Sequence, residues 1–228
     1  MVVGDGMMAR AFARYAQDAG TLVFASGVSD SLETDPLAFA RERSLLEAAR
    51  AGHPDALLVY FSTCSVEDPD RKDTPYVKHK LAMEDAIAQM PGEWLVFRLP
   101  LVIGSGHRGA TLAQFLYARI SAEEKFQVWA NATRYPVDVD DVVRIASVFI
   151  GNRRKVNRCI NIALRSFPVL EFVRVMQDIV GKPARYELLD KGAHYEISCP
   201  ELRELPATSV LDYSGAYLER VLRKYFGK

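Results

Sequence analysis

The chain has 228 residues, 49% of them hydrophobic and 25% charged, with 29 acidic side chains balanced by 29 lysines and arginines. That is the composition of one compact globular unit, and a formal net charge of zero leaves no global positive field for a nucleic-acid backbone. No run approaches the roughly 18 consecutive apolar residues of a membrane span, and Met1 leads into Val2-Val3-Gly4 without an export signal, so a cytoplasmic protein with neither nucleic-acid nor membrane partners is expected.

Apolar periodicity predicts the elements in turn. Met1-Val2-Val3 reads as a short strand, followed by Gly4-Asp5-Gly6. Over residues 7–18, Met8, Ala11, Phe12 and Tyr15 recur on one helical face with Ala19 after them, and Gly20 ends the helix. Residues 21–25 form a second apolar run with Ser26-Gly27-Val28-Ser29 as its loop. Pro36 opens a helix through residue 49 whose Leu37, Phe39, Ala40, Ser44, Leu45 and Ala48 are the expected buried stripe. Residues 55–61 are a third strand, with Ser62-Thr63-Cys64-Ser65 at its carboxyl end. Helix 76–90, strand 94–99, helices 111–120 and 138–150, strand 159–163, helix 168–180, a strand-like run at 184–189 and helix 214–225 complete the series. Strands alternating with helices of ten or more residues predict an α/β fold on a mainly parallel sheet, with the mixed material after about residue 164 as a small C-terminal lobe. The densest basic stretch, Arg153-Arg154-Lys155 with Arg158, reads as a solvated connection. Cys64, Cys159 and Cys199 are odd in number and widely spaced, which suggests neither a disulfide framework nor a zinc site.

Two patterns carry chemistry. Gly4-x-Gly6-x-x-Ala9 follows a strand and opens a helix, where glycines let a backbone turn tightly and approach a pyrophosphate. The acidic residue that such a site places at the end of the next strand, to bind ribose, is absent: that strand ends in Ala25-Ser26. Tyr76 and Lys80 stand four apart on one helical face, where an ammonium beside a phenol lowers its pKa toward neutrality. Ser62-Thr63 lies at the carboxyl end of an upstream strand, the position at which open α/β sheets bind ligands.

With these pieces in this order, the sequence resembles the extended short-chain dehydrogenase/reductase superfamily, the branch of nucleotide-sugar epimerases, dehydratases and reductases. Gly4-Asp5-Gly6-Met7-Met8-Ala9 is similar to its cofactor turn, and residues 45–50 to the helix before its catalytic strand. Residues 61–66 resemble that strand's Ser/Thr end, and Pro75-Tyr76-Val77-Lys78-His79-Lys80 the catalytic helix. Residues 98–104 resemble the segment flanking the nicotinamide, and residues 134–142 a later Val-Asp-Asp motif.

The resemblance implies a Rossmann-like, doubly wound sheet, with residues 1–163 as the cofactor and catalytic domain and 164–228 as a small substrate-binding lobe, to which parts of 104–135 contribute. It implies Tyr76 as general acid/base, tuned by Lys80 and helped by Thr63. Gly4, Asp5, Gly6, Met7, Met8, Ala25, Ser26, Gly27, Pro100, Leu101 and Val102 would hold NAD or NADP, and Cys64, Ser65 and Arg134 a nucleotide-sugar substrate. No metal is implied, and a homodimer is left open, with Met83, Ile87 and Met90 as either an interface stripe or helix core. Asp140-Asp141 read as the charged start of their helix, and His79 as a surface residue.

Two departures narrow the expectation. Cys64-Ser65 stand where the dehydratases place Asp-Glu, which disfavours dehydration, and the loop between Thr63 and Tyr76 is shorter than usual. Between Gly20 and Tyr60 there is only one strand and one helix. The favoured account is that residues 21–27 correspond to the family's fourth strand, so that the second and third strands, which build the adenosine side of the cofactor site, are missing. If the first helix keeps its usual face, that crossover is left-handed, which is rare. The competing account makes residues 21–25 the second strand of a flavodoxin-like order 2-1-3.

Overall fold

The computed structural model describes residues 1–106, 111–153, 155–206 and 211–227. In chain order it forms β1 (Val2–Val3), α1 (Met7–Ala11), β2 (Thr21–Phe24), α2 (Pro36–Gly52), β3 (Leu57–Thr63), α3 (Pro75–Gln89) and β4 (Trp94–Leu99). There follow β5 (Leu101–Ile103), α4 (Leu112–Ser121), β6 (Phe126–Trp129), β7 (Thr133–Arg134), β8 (Pro136–Asp138), α5 (Val139–Gly151) and β9 (Arg158–Asn161). The chain closes with β10 (Phe167–Pro168), α6 (Val169–Val180), β11 (Tyr186–Leu189) and α7 (Tyr217–Phe226).

The main sheet is parallel throughout, in the order β1-β2-β3-β4-β9. β2 lies between β1 and β3, so the flavodoxin-like order is excluded and the strand order expected from an internal deletion is the one found. Alternate residues of the strands feed two cores. Val23, Val59 and Phe97 meet Phe12 and, from α5, Val142, Ile145 and Phe149; Leu22, Phe24, Leu58 and Tyr60 meet Leu46 of α2 and Met83 and Ile87 of α3. The sheet is therefore doubly wound, with α1 and α5 on one face and α2 and α3 on the other.

This arrangement sets the hand of the first connection. The links from β1 to β2, from β2 to β3 and from β3 to β4 all advance in one direction across a parallel sheet, but the first passes over the opposite face. Its hand is thus opposite to the other two. With the usual right-handed units at β2–β3–β4, the β1–α1–β2 link is left-handed.

Two predicted details are corrected. The first helix ends at Ala11 instead of residue 18, because Phe12 leaves helical dihedrals (φ −95°, ψ 14°) as its ring drops into the core, and a single 3-10 turn at Ala13–Tyr15 follows. On α2, Leu37 is 77% exposed, and Ser44 and Ala48 are also outside; the buried face is Glu42, Leu46 and Arg50. That face is one residue per turn, and its charged members are admitted because each has buried partners. Arg50 donates to the carbonyl oxygens of Ala56 (2.5 Å) and Pro91.

The later elements interleave. β6 pairs with β11, β7 with β10, β5 with β8, and α4 packs on α6. Their apolar residues join the same core as α1 and α5. Asp138 caps α5 through the Asp140 N–H and also receives Lys224 Nζ (2.7 Å) and the Tyr225 hydroxyl (2.7 Å), pinning α7 to the start of α5. The cap is thus Asp138; Asp140 and Asp141 follow in the first turn, where Asp141 accepts from Tyr217.

Met83 and Ile87 are fully buried, which settles them as helix core. Arg153 contacts Glu93, and Lys155 and Arg158 contact Glu204, as suits a solvated connection; Arg154 lies outside the described residues. Among the described residues the three cysteines are free, no helix is long and apolar enough to cross a membrane, and no cluster of metal-binding side chains occurs.

Candidate active site

The carboxyl ends of β1 to β4 open into a cavity of about 800 Å³. Of the residues singled out from sequence, all but Gly4 line it. Gly4 acts one layer behind. Its φ of +124° is a conformation that suits glycine, and a Cβ there would stand 2.5 Å from the Ala25 carbonyl oxygen, so the absence of a side chain lets the first turn close against the loop after β2. At Gly6 an added Cβ would meet nothing within 4 Å, which leaves the backbone of this turn accessible from the cavity. Arg10 holds the turn from outside through the carbonyls of Asp5 (2.7 Å) and Gly106 (2.7 Å).

On the opposite wall, Thr63 ends β3 and caps the short turn after it, accepting from the Ser65 N–H at 3.0 Å. Pro75 begins α3 with Thr74 as its cap, and this places Tyr76 and Lys80 one turn apart, both buried, on the side of the helix facing the sheet. The Thr63 hydroxyl acts to lower the Tyr76 pKa, while Lys80 Nζ stands 5.9 Å from the centre of the Tyr76 ring.

The expected lowering of the phenol is not what this geometry produces. Burial dominates and pushes Tyr76 up to about 12, against the opposing influence of the Thr63 hydroxyl and with help from the negative charge of Glu42. The ammonium is engaged elsewhere: Lys80 Nζ donates to Glu42 Oε1 (2.9 Å) and to the Tyr60 hydroxyl (3.0 Å). Burial lowers the Lys80 pKa, and Glu42 opposes that shift. Burial alone would raise the Glu42 carboxyl, but bonds from His79, the Lys80 charge, Tyr60 and the Val28 N–H bring it down to about 2.

His79 is accordingly not a surface residue. Its side chain is 9% exposed, bonds Glu42 Oε2 at 2.9 Å and stacks on Phe39 with ring centres 4.4 Å apart. Sequence reading missed Glu42 because a charge on a helix is normally solvated; its only signal was a position four residues before Leu46 on the face that proved to be buried.

A second buried carboxylate, Glu84, lies one turn beyond Lys80. It receives Arg98 through both Nε (3.0 Å) and Nη2 (2.6 Å) and the Ser62 hydroxyl at 2.5 Å. This ties α3 to β4 and β3 behind the cavity.

The remaining candidates are placed as follows. Pro100, Leu101 and Val102 form the floor where β4 passes into β5. Arg134 is half-buried at the far side, with Nη1 2.7 Å from the carbonyl of Thr133 and 3.8 Å from Asp68, so its charge is already shared. Cys64 is buried, its thiol donates to the Arg98 carbonyl (3.2 Å), and burial pushes its pKa well up, the opposite of a reactive thiol. Tyr195 completes the lining, its backbone carbonyl accepting from Tyr135 at 3.0 Å.

No protein-family model matches the chain, and a search of curated proteins finds no match. Solved structures do share its fold. RMD from Pseudomonas aeruginosa, complexed with NADPH, superposes with a TM-score of 0.75 at 15% identity over 99% of this chain and 96% of its own. The Bordetella bronchiseptica enzyme WbmH, in complex with NAD+, gives 0.71 at 16% identity over 96% and 79%. UDP-glucose 4-epimerase from Thermus thermophilus, complexed with NAD, gives 0.68 at 15% identity over 96% and 80%. The fold is thus the Rossmann-like fold of these proteins.

Proposed function

We propose that the protein is an NAD(P)-dependent nucleotide-sugar epimerase or keto-reductase with Thr63, Tyr76 and Lys80 as its working set, serving the synthesis of surface polysaccharide or a deoxysugar. The observation that carries this reading is the convergence of a hydroxyl, a phenol and a buried lysine on one cavity at the carboxyl ends of parallel strands, opposite a glycine turn with open space at Gly6. The fold neighbours, solved with NAD, NAD+ or NADPH, support it.

A nicotinamide cofactor would supply the hydride chemistry. The Gly4-Asp5-Gly6 turn would hold its pyrophosphate, Ala25 to Gly27 and Lys80 its ribose, and Pro100 to Val102 its nicotinamide. With its pKa near 12, Tyr76 is a neutral phenol at pH 7. It is thereby set to donate a proton to a sugar carbonyl oxygen, with Thr63 orienting that oxygen by a second hydrogen bond. In the reverse direction Tyr76 must first release its own proton to solvent; the resulting phenolate, which the Lys80 charge would stabilise, then accepts the proton of the sugar hydroxyl. Cys64 and Ser65, with Arg134, would border the sugar phosphate side. The buried carboxylates are already committed to partners, which accords with redox chemistry at an oxygen and not with dehydration.

Titration with NADH and with NADPH, followed by nicotinamide fluorescence, tests the reading; absence of binding at millimolar cofactor would overturn it. Tyr76→Phe is expected to reduce turnover of a UDP-sugar by about 10²- to 10⁴-fold. A second reading, a nucleotide- or sugar-binding protein without turnover, is favoured by one observation: the sheet ends at β1, where the family builds its adenosine site. In that case Tyr76→Phe would leave ligand affinity unchanged and there would be no rate to lose.

A further inference from the structure

We propose that Glu42 is a positioning residue of this site: its buried carboxylate fixes the Lys80 ammonium at the cavity wall and sets which N–H is left for a ligand. The inference rests on the reading of Lys80 as a cofactor-holding residue, but its geometry stands without any ligand.

Glu42 is fully buried, yet it belongs to no folding ladder and no helix cap. Oε1 receives the Tyr60 hydroxyl (2.5 Å) and Lys80 Nζ (2.9 Å); Oε2 receives the Val28 N–H (2.7 Å) and contacts His79 Nε2 (2.9 Å). These partners come from β3, α3 and the loop after β2, so the carboxylate is held from three directions and cannot swing. Lys80 has three N–H donors, of which Glu42 takes one and Tyr60 a second. Tyr60 also donates to Glu42, which closes a three-membered ring of hydrogen bonds and fixes the ammonium against rotation. The third N–H is the one left for a ligand hydroxyl.

Gly27 provides an independent sign that the pair is built to stand at the wall. A Cβ there would lie 2.7 Å from Glu42 Oε1 and 2.9 Å from Lys80 Nζ, so a side chain at this position would displace the pair; Gly27 and Lys80 line the cavity and Glu42 is buried behind them. The other ionisable groups acting on Lys80 do not replace Glu42: Glu84 adds its charge but is bonded to Arg98 and Ser62, and Tyr76 is a neutral phenol facing Thr63.

The experiment is a pH titration of the lysine side chains by NMR in protein labelled at lysine Cε, with the Lys80 signal assigned from Lys80→Arg and no ligand added. Glu42→Gln keeps the shape and removes the charge; it is expected to lower the Lys80 midpoint by about one to three pH units, the scale of a close opposite charge. Glu42→Asp, which retains the charge, is expected to restore most of the shift. A Glu42→Gln midpoint equal to that of the unsubstituted protein overturns the proposal. Should that variant fail to fold, the unsubstituted protein decides: a distinct Lys80 signal with protected Nζ hydrogens supports the pairing, and one that exchanges and titrates with the exposed lysines overturns it. In parallel, Glu42→Gln and Gly27→Ala are each expected to weaken NADH binding by about tenfold or more, as for loss of one charge-assisted hydrogen bond. If the unsubstituted protein binds no nicotinamide, the functional reading fails, while the Lys80 titration still judges Glu42.

Discussion

At the scale of single residues, the site is dominated by charges taken out of water. Burying a carboxylate is expensive unless donors surround it, and both Glu42 and Glu84 are so surrounded. The consequence is a pH dependence whose sign follows from the shift. Glu42 falls from an ordinary 4.5 to about 2 in the folded chain, so its contribution to stability is complete above about pH 5 and is lost as pH falls toward 2. Its full protonation is expected to cost about 3 kcal/mol. Urea unfolding between pH 5 and 3 measures this: the midpoint should drop, and Glu42→Gln should flatten the drop. Comparing the two proteins matters because the exposed Glu204, also held near 2 by Arg158 and Lys155, titrates in the same window in both.

At the scale of elements, the cavity depends on how helices are started and tied. α3 begins at a Thr74 cap followed by Pro75, so Tyr76 and Lys80 enter the site in the first two turns of a helix whose same face is anchored one turn further on by Glu84 and Arg98. The C-terminal α7 is tied to the start of α5 by three carboxylates: Asp138, Asp140, which pairs with Lys224, and Asp141, which accepts from Tyr217. Asp138 accepts from the Asp140 N–H, Lys224 and Tyr225; removing it strands the Asp140 N–H and the Tyr225 hydroxyl and leaves Lys224 with Asp140. Asp138→Ala is expected to cost about 2 kcal/mol in chemical denaturation. It should also make the α7 segment the first site of limited proteolysis. Unchanged stability and an unchanged cleavage pattern would show that the packing of Leu218, Val221 and Leu222, with the Tyr217–Asp141 and Lys224–Asp140 contacts, secures this helix without Asp138.

At the scale of the whole molecule, the sheet stops at β1, and no strand among the described residues lies beyond it. A dinucleotide bound across the Gly4-Gly6 turn would find protein under its nicotinamide half and no strand layer under its adenosine. Reduced nicotinamide mononucleotide is therefore expected to bind within about tenfold of NADH, where an intact adenosine site would separate them further; competition fluorescence measures the ratio. Much of this was legible in the sequence. Periodicity places the main strands and most helices, because alternating and helical apolar spacing directly reports which side faces a core. The four-residue spacing of Tyr76 and Lys80 puts both on one face whatever surrounds them. Likeness to the family also gives the right neighbour for β1, where the handedness rule by itself argues against it. What local spacing could not decide is which charged residues fold inward. His79 reads as a surface residue, and Glu42 and Arg50 fall outside the expected stripe of their helix, because a charge alone prefers water; they are buried because partners distant in sequence, among them Tyr60, Lys80 and the Ala56 and Pro91 carbonyls, satisfy them. The same holds for the phenol of Tyr76. Sequence puts a lysine beside it, but only the tertiary fold directs that lysine to Glu42 and leaves Tyr76 protonated, since an ammonium goes to the nearest buried carboxylate before it serves a neutral hydroxyl.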